Sequence, residues 1–248
     1  MLRHEIFKPD SYIILVMKDE TKQLYDCNAC VFKSLSCLLL TEDEFEVIRN
    51  QSIQVKFSKG ETVFKQGGKA GSLIFLHKGI VKYTYEYETG KTYIMTVTKG
   101  PKLLGGANLF FKATNIFSIV AVEECEICYI DFDTIKQASM KNPNYLMALC
   151  ESALNMFQHS IFNFISLAHN QVNGRIANIL LYLWDHVYKD SPYEFNLSRK
   201  ELAEFAACSH ENVISTLSKF KKEGLLQLEG KKITICNYSE MKKISKLG

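Results

Sequence analysis

Cysteine is the residue type in this chain with the clearest chemical potential, and eight are present. Three of them, Cys27, Cys30 and Cys37, fall within eleven residues near the N-terminus. In a chain with no sign of export, cysteines rarely form a disulfide framework. They are more often buried apolar side chains, metal ligands or redox groups. The crowding of these three thiols therefore needs a chemical explanation or a packing one.

A thiol enzyme is one candidate, because Cys27 and Cys30 form a Cys-x-x-Cys pair. Thioredoxin-like enzymes place such a pair between a strand and a helix. Here the pair follows no recognisable strand and precedes no strong helical pattern, and no Ser-His-Asp or paired-carboxylate arrangement stands at a convincing spacing. We therefore predict that the chain is not an enzyme.

The composition is that of a soluble globular protein. The chain has 248 residues, 47% hydrophobic and 23% charged, which is enough for one large or two modest domains. The first residues do not resemble a signal peptide, and no window reaches the ~18 apolar residues that a membrane span needs. We therefore expect a cytoplasmic protein with no membrane partner.

Positive charge is concentrated at the C-terminal end. From Asn196 onward there are ten Lys or Arg and six Asp or Glu, a net charge of +4 against +3 for the whole chain. A basic end on a near-neutral body is typical of nucleic-acid binding, although a solvated face would look similar.

Short strands are predicted from about residue 53 to 135, after a helix that Thr41 and Glu44 open with a capping box. Glycine turns recur at intervals of about 8–12 residues, the spacing of an all-β barrel or sandwich. They stand at Gly60, Gly67, Gly79, Gly90, Gly100 and Gly105. We divide this half into a cysteine-containing segment, 1–40, and a β domain, 41–142.

A long helix is predicted over 143–170, because apolar residues alternate at spacings of three and four. This seam consists of Met147, Cys150, Leu154, Phe157, Ile161, Phe164 and Ala168. A second apolar row, which includes Leu146 and Leu149, lies beside the seam. One row can pack on the β domain, and the other on a second copy of the helix in a twofold homodimer. A helix buried within one chain is the alternative. We assign 143–171 to this dimerisation helix.

Residues 172–248 are predicted to be helical and to end in a hairpin. A helix-turn-helix is predicted within this region. Ser198 and Glu201 form a capping box for a helix from Arg199 to about Ala206. Ser209 caps a second helix from His210 to about Glu223, which Gly224 ends. A β-hairpin wing over 225–235 follows.

The second helix of such a motif enters the major groove of duplex DNA. Side chains in its first turns then reach bases, and its N-terminal amides and neighbouring lysines reach phosphates. Glu211 suits a cytosine amino group. The candidate DNA contacts are Ser198, Arg199, Ser209, His210, Glu211, Asn212, Ser215 and Lys219.

Five segments resemble the Crp/Fnr family of transcription regulators in the right order: Lys59–Gly67, Ser72–Lys82, Leu197–Ala203, Ser209–Val213 and Lys222–Leu226. The resemblance implies an α+β fold with an N-terminal cyclic-nucleotide-binding-type β jelly roll, a long dimerisation helix and a C-terminal winged helix-turn-helix. It also implies promoter DNA and RNA polymerase as partners. Many relatives carry a guanine-binding Arg where this chain has Ser215, so the operator is expected to differ.

Cyclic AMP is not the expected effector. Relatives that bind it hold the phosphate with a Glu and an Arg, whereas Lys112 is the sole charged residue between Gly105 and Val120. A buried phosphate needs a cation or a set of amides.

The Fnr branch of the family instead holds a [4Fe–4S] cluster with three N-terminal cysteines and one on a late strand. Cys27, Cys30 and Cys37 with Cys128 resemble that ligand set, although the second gap is one residue longer than usual. Strand alternation places Cys125, a rival fourth ligand, on the opposite face from Cys128. Zinc, thiol redox chemistry and inert cysteines remain open, as does a barrel that senses an organic effector or a haem-bound gas.

Overall fold

The computed structural model describes residues 24, 26–31, 33, 39–104, 114–189 and 193–248. In this part of the chain, eight strands precede the long helix. They are β1 (Ser52–Phe57), β2 (Thr62–Phe64), β3 (Ser72–Lys78), β4 (Ile80–Glu86), β5 (Thr92–Lys99), β6 (Lys102–Leu104), β7 (Ser118–Ala121) and β8 (Cys125–Asp131).

The strands form two antiparallel four-stranded sheets, with orders β1-β8-β3-β6 and β2-β7-β4-β5. Side chains from both sheets fill the space between them, among them Ile74 and Ile127 from one sheet and Val81 and Ile119 from the other. We call this the barrel interior. The predicted β jelly roll is therefore present.

One predicted glycine turn is required by close packing. Gly79 joins β3 to β4 with a φ of +103°, and a Cβ there would lie 2.7 Å from the Cys125 sulfur. Only glycine has no Cβ and adopts this backbone conformation at little cost.

Three helices cover the outer face of the first sheet: α1 (Glu42–Asn50), α2 (Phe132–Lys141) and α3 (Pro143–His169). The predicted capping box opens α1, where the Thr41 hydroxyl accepts from the Glu44 N–H and the Glu44 carboxylate accepts from the Thr41 N–H. Under these helices lies a second apolar group, which we call the outer-face cluster. It contains Cys30, Leu40, Phe45, Ile48, Leu73, Phe75, Cys128, Ile130, Ile135, Ala138 and Tyr145.

The long helix predicted over 143–170 is α3, which ends at His169. Asn142 caps it by accepting from the Tyr145 N–H at 3.1 Å, and Pro143 occupies its first turn. None of the described helices is long and apolar enough to cross a membrane.

The C-terminal part begins with α4 (Val172–Tyr182), which continues into a π-helical turn, Leu183–Tyr188. The remaining elements are β9 (Tyr193–Glu194), α5 (Arg199–Ala206), α6 (His210–Lys222), β10 (Leu226–Glu229), β11 (Lys232–Ile235) and α7 (Tyr238–Leu247). The predicted hairpin is β10–β11, and β9 adds a third strand beside β11.

One sequence prediction about this region is wrong, because the chain does not end in the hairpin. Helix α7 follows it, capped by the Asn237 side chain, which accepts from the Glu240 N–H at 3.0 Å. Met241 of α7 is fully buried in the C-terminal core, and Ile244 packs against that core. The burial of these two apolar residues supplies the stability that a ten-residue helix lacks alone.

Candidate nucleic-acid interface and N-terminal thiol site

Helices α5 and α6 form the predicted helix-turn-helix. Ser198 and Glu201 make the capping box of α5, and Ala207 has a left-handed φ of 47° in the turn that follows. The five apolar residues expected to hold the two helices together are all at most 2% exposed. They are Leu202, Phe205, Val213, Leu217 and Phe220. A buried apolar core therefore lies beneath the exposed face of α6.

The N-terminal half of α6 carries most of the predicted DNA contacts. His210, Glu211, Asn212 and Ser215 are all exposed. The Ser209 hydroxyl caps the helix by accepting from the Asn212 N–H at 3.2 Å. The positive end of the helix dipole at these residues suits a phosphate group.

The Glu211 carboxylate is held in its charged form. A hydrogen bond from its own backbone N–H and another from the Ser209 hydroxyl lower the pKa of Glu211. A charged carboxylate only accepts hydrogen bonds, which matches the exocyclic amino group of cytosine in the major groove.

The other three predicted DNA contacts, Arg199, Ser198 and Lys219, lie outside the N-terminal half of α6. The Arg199 guanidinium lies 5.7 Å from the centre of the Phe195 ring, and its partial burial lowers its pKa. The Ser198 hydroxyl is exposed but already accepts from the Glu201 N–H. Lys219 is exposed towards the C-terminal end of α6, on the same helix as Lys221 and Lys222.

A set of polar contacts between the jelly roll and the helix-turn-helix was not anticipated from the sequence. Lys82 of β4 donates to the Glu201 carboxylate at 2.5 Å, and both side chains are at most 20% exposed. Burial alone raises the pKa of Glu201, but the hydrogen bonds from Lys82 and from the Ser198 N–H outweigh it, so that its pKa is lowered. We call this ion pair the Lys82–Glu201 link.

Three further contacts reinforce this junction. Asn196 donates to the Glu123 carboxylate at 2.7 Å, and Lys59 donates to the Asn196 carbonyl at 2.9 Å. On the other side, the Tyr182 hydroxyl donates to the Val97 carbonyl at 2.7 Å. The partners are 73 to 137 residues apart in sequence, and no local pattern could have paired them.

Two of the predicted cluster ligands share one apolar environment. Cys30 and Cys128 both belong to the outer-face cluster and are at most 9% exposed. Cys27 begins a short 3-10 turn, Cys27–Ala29, that leads to Cys30. The Gln54 amide donates to the Cys27 sulfur at 3.2 Å, and Gln54 is the β1 residue directly opposite Cys128. The structure therefore brings Cys27, Cys30 and Cys128 to the same side of the jelly roll.

These thiols do not form a metal site by themselves. Among the described residues, no group of three or more His, Cys, Asp or Glu side chains is placed to hold a metal ion. The remaining predicted ligand, Cys37, lies outside the described residues. Residues 105–113, which include most of the segment relevant to cyclic AMP, also lie outside them.

Cys125 faces the other way, as strand alternation indicated. It is fully buried in the barrel interior, and its thiol lies 3.3 Å from both the Ile80 and the Glu123 carbonyl oxygens. Burial is the main cause that raises its pKa to about 11. A protonated thiol inside the sandwich is not available to a site on the outer face.

The predicted dimer seam lies on the solvent side of α3. Leu149, from the second apolar row, packs against the outer-face cluster instead. Most seam residues are exposed in the single chain, while Cys150 is half-buried. The exposed ones are Met147, Leu154, Phe157, Ile161, Phe164 and Ala168. A stripe of large apolar side chains with this exposure is a surface that lacks a partner within the described chain.

Known proteins resemble the chain in both halves. Residues 54–142 match the model of the cyclic nucleotide-binding domain, and residues 174–244 match that of the Crp-like helix-turn-helix domain. A cAMP-activated global transcriptional regulator CRP from Pasteurella multocida is 29% identical over 184 residues, covering 73% of this chain and 88% of the relative. The regulator Vfr from Pseudomonas aeruginosa is 23% identical over 187 residues, covering 73% and 87%.

Among solved structures, FixK2 from Bradyrhizobium japonicum has a TM-score of 0.72 at 14% identity, covering 78% of this chain and 96% of that protein. A jelly roll of the cyclic-nucleotide-binding type, followed by a long helix and a Crp-like helix-turn-helix, defines a DNA-binding transcription regulator. The two matched domains together span more than half of the chain, which belongs to the Crp/Fnr family.

Proposed function

We propose that this chain is a homodimeric regulator that binds promoter DNA through α6 and responds to oxygen or redox state through its N-terminal cysteines. The exposed outer face of α6, mounted on a buried five-residue core, carries the DNA part of the proposal. RNA polymerase is the further partner that family membership suggests. The working domain boundaries are 1–40, 41–142, 143–171 and 172–248.

The sensing part is supported by three thiols on one side of the jelly roll. Four thiolates from Cys27, Cys30, Cys37 and Cys128 would suit an iron–sulfur cluster, which would supply sensitivity to oxygen. This assignment to the Fnr branch requires Cys37 as the fourth ligand and a closer approach of Cys27, Cys30 and Cys128, because these three do not group as metal ligands in the described chain. Cys128 would anchor the set to β8, and Gln54 would hold Cys27 beside it.

Cyclic AMP is not part of the proposal, although relatives at 28–29% identity are named as cAMP-activated. The chain has no Arg or Glu between Gly105 and Val120 to bind the phosphate. Added cyclic AMP should therefore leave DNA affinity unchanged.

The DNA part is tested with two variants of α6. Glu211→Ala should relax the base preference in a selected binding sequence, because a base contact is lost. Lys219→Ala should weaken binding to all duplexes alike and reduce the slope of log affinity against log salt by about 1. Lys136→Ala, an exposed lysine on α2, is the control for charge alone. Equal affinity of the wild type for selected and random DNA in every redox state would refute the DNA-binding proposal.

The sensing part is tested separately, on protein purified without oxygen. We expect a brown protein with about four irons per chain, and DNA affinity that changes on exposure to air. Colourless protein after reconstitution with iron and sulfide would contradict the cluster and favour an organic effector or zinc instead. The DNA-binding result would be unaffected, since it depends on different residues.

A further inference from the structure

The exposed face of α6 contains one large apolar side chain that the predicted DNA contacts do not include. Glu211, Ile214, Ser215 and Ser218 are all exposed and lie on one face of the helix, at spacings of three, four and seven residues. The isoleucine side chain is 48% exposed. It stands one turn from Glu211, where a helix seated in the major groove meets base edges.

Within the part of the chain that the structure describes, packing does not explain an isoleucine at this position. The side chain belongs to none of the apolar clusters, whereas its neighbours Val213 and Leu217 are buried in the C-terminal core. A β-branched residue also lowers helix propensity slightly. Single exposed apolar residues are common on protein surfaces, so its position on the DNA-facing side is the informative observation.

The neighbouring Ser215 uses its hydroxyl within its own helix rather than directing it to DNA. The Ser215 hydroxyl donates to the Asn212 carbonyl of its own helix at 3.1 Å. It stands where many relatives carry a guanine-binding arginine. Neither Ser215 nor Ile214 can donate the pair of hydrogen bonds that guanine accepts, so these two positions do not offer that mode of guanine recognition.

Thymine offers the matching feature, since its C5-methyl group projects into the major groove and is contacted by apolar side chains. We propose that Ile214 is a specificity-determining residue that packs against a thymine methyl, next to the base contacted by Glu211. The inference depends on the proposed DNA binding. It predicts a conserved thymine in each half-site, next to the base that Glu211 contacts.

The experiment first selects preferred duplexes from a random pool with the full-length wild-type protein. Each conserved thymine is then replaced by deoxyuridine, which removes only the methyl group, and affinities are measured by fluorescence anisotropy at one salt concentration. For one thymine per half-site, loss of the methyl should weaken wild-type binding about fourfold per half-site. Ile214→Ala should bind thymine DNA more weakly and bind the two duplexes equally well.

Val47→Ala is the matched control, because Val47 is a similarly exposed β-branched residue on α1. It should keep the full thymine-to-uracil penalty. Ile214→Ala replaces an exposed residue with a better helix former, so its melting temperature should not fall. An equal penalty in Ile214→Ala and wild type, or no thymine preference at any position, overturns the inference while leaving DNA binding intact. No preference for any selected sequence would overturn both.

Discussion

Two cysteines on β8, three residues apart, lie on opposite faces of the first sheet. Cys125 lies in the barrel interior between two carbonyl oxygens, with its pKa raised to about 11. Cys128 lies on the outer face, among apolar residues that include Cys30. The alternation of side chains along a strand was sufficient to predict this difference from the sequence.

Cys125 should therefore resist alkylation in the folded protein. With a pKa of about 11, only about one Cys125 side chain in a thousand is a thiolate at pH 8, and the side chain is fully buried. Iodoacetamide at pH 8 should label the exposed Cys236 rapidly and leave Cys125 unmodified, as measured by peptide mass spectrometry. Both should react in urea, which is the control. Rapid labelling of Cys125 in native protein would contradict its placement.

The opposite orientations of Cys125 and Cys128 also predict which of them binds the proposed iron–sulfur cluster. Cys128→Ser should abolish the colour of anaerobic protein, whereas Cys125→Ser should retain it. The comparison distinguishes the two candidate ligands on β8 by the face they occupy. Loss of colour only in Cys125→Ser would reverse the assignment.

At the scale of elements, the helix-turn-helix was predictable because its limits are set locally. Ser198 with Glu201, and Ser209, mark the helix starts that the structure has. Gly224 follows the second helix with a φ of +70°. The two-residue strand β9 and helix α7 were missed, since their stability comes from packing against distant elements. The contribution of each α6 side chain to DNA binding stays a prediction.

The junction between jelly roll and helix-turn-helix is another feature that the sequence does not reveal. Glu201 caps α5, a role that its spacing from Ser198 predicted. The same carboxylate also accepts from Lys82, a residue 119 positions away on β4. Only the folded chain brings the two together, so that one side chain joins the start of the helix-turn-helix to the jelly roll.

Glu201→Gln separates the two roles, because glutamine can still close a capping box but cannot pair with a cation. It should lower the free energy of unfolding at pH 7 by about 1–3 kcal/mol, since a largely buried Lys82 ammonium loses its charged acceptor. Urea unfolding of wild type, Glu201→Gln, Lys82→Met and the double variant gives the coupling energy. Lys56→Met, which breaks a 3.5 Å pair between the exposed Lys56 and the partly buried Glu126, should change stability by less than about 1 kcal/mol.

The difference in unfolding free energy between wild type and Glu201→Gln should depend on pH in a predictable direction. The folded-state pKa of Glu201 is lowered, so the ion pair stabilises the folded state above the carboxylate's unfolded pKa of about 4.3. That stabilisation is lost as the pH falls through the lower, folded-state pKa. Wild type and Glu201→Gln should therefore differ fully at neutral pH and converge in acid. A difference that stays constant with pH would point to a role other than the ion pair.

At the scale of the whole molecule, the exposed seam on α3 is the surface through which two chains are proposed to pair for DNA binding. The winged motif presents one α6, whereas a helix-turn-helix regulator recognises two half-sites about one helical turn of DNA apart. In the proposed homodimer, a twofold pair of α3 helices would supply the second copy and bury the apolar stripe. The same 27-residue helix contacts the jelly roll through Leu149, so that one element adjoins both the jelly roll and the proposed dimer contact.

Phe157→Glu tests this arrangement directly. The Phe157 side chain is 61% exposed in the single chain and occupies the middle of the seam, so the variant should fold, but a dimer would bury two carboxylates close together. We expect wild type to sediment as a dimer at micromolar concentration and Phe157→Glu to shift towards monomer, with a loss of affinity for two-half-site DNA. Gln158→Glu adds the same charge on the adjacent exposed residue outside the seam and should remain dimeric. A monomeric wild type, or a dimer that Phe157→Glu leaves intact, would remove α3 as the dimer contact.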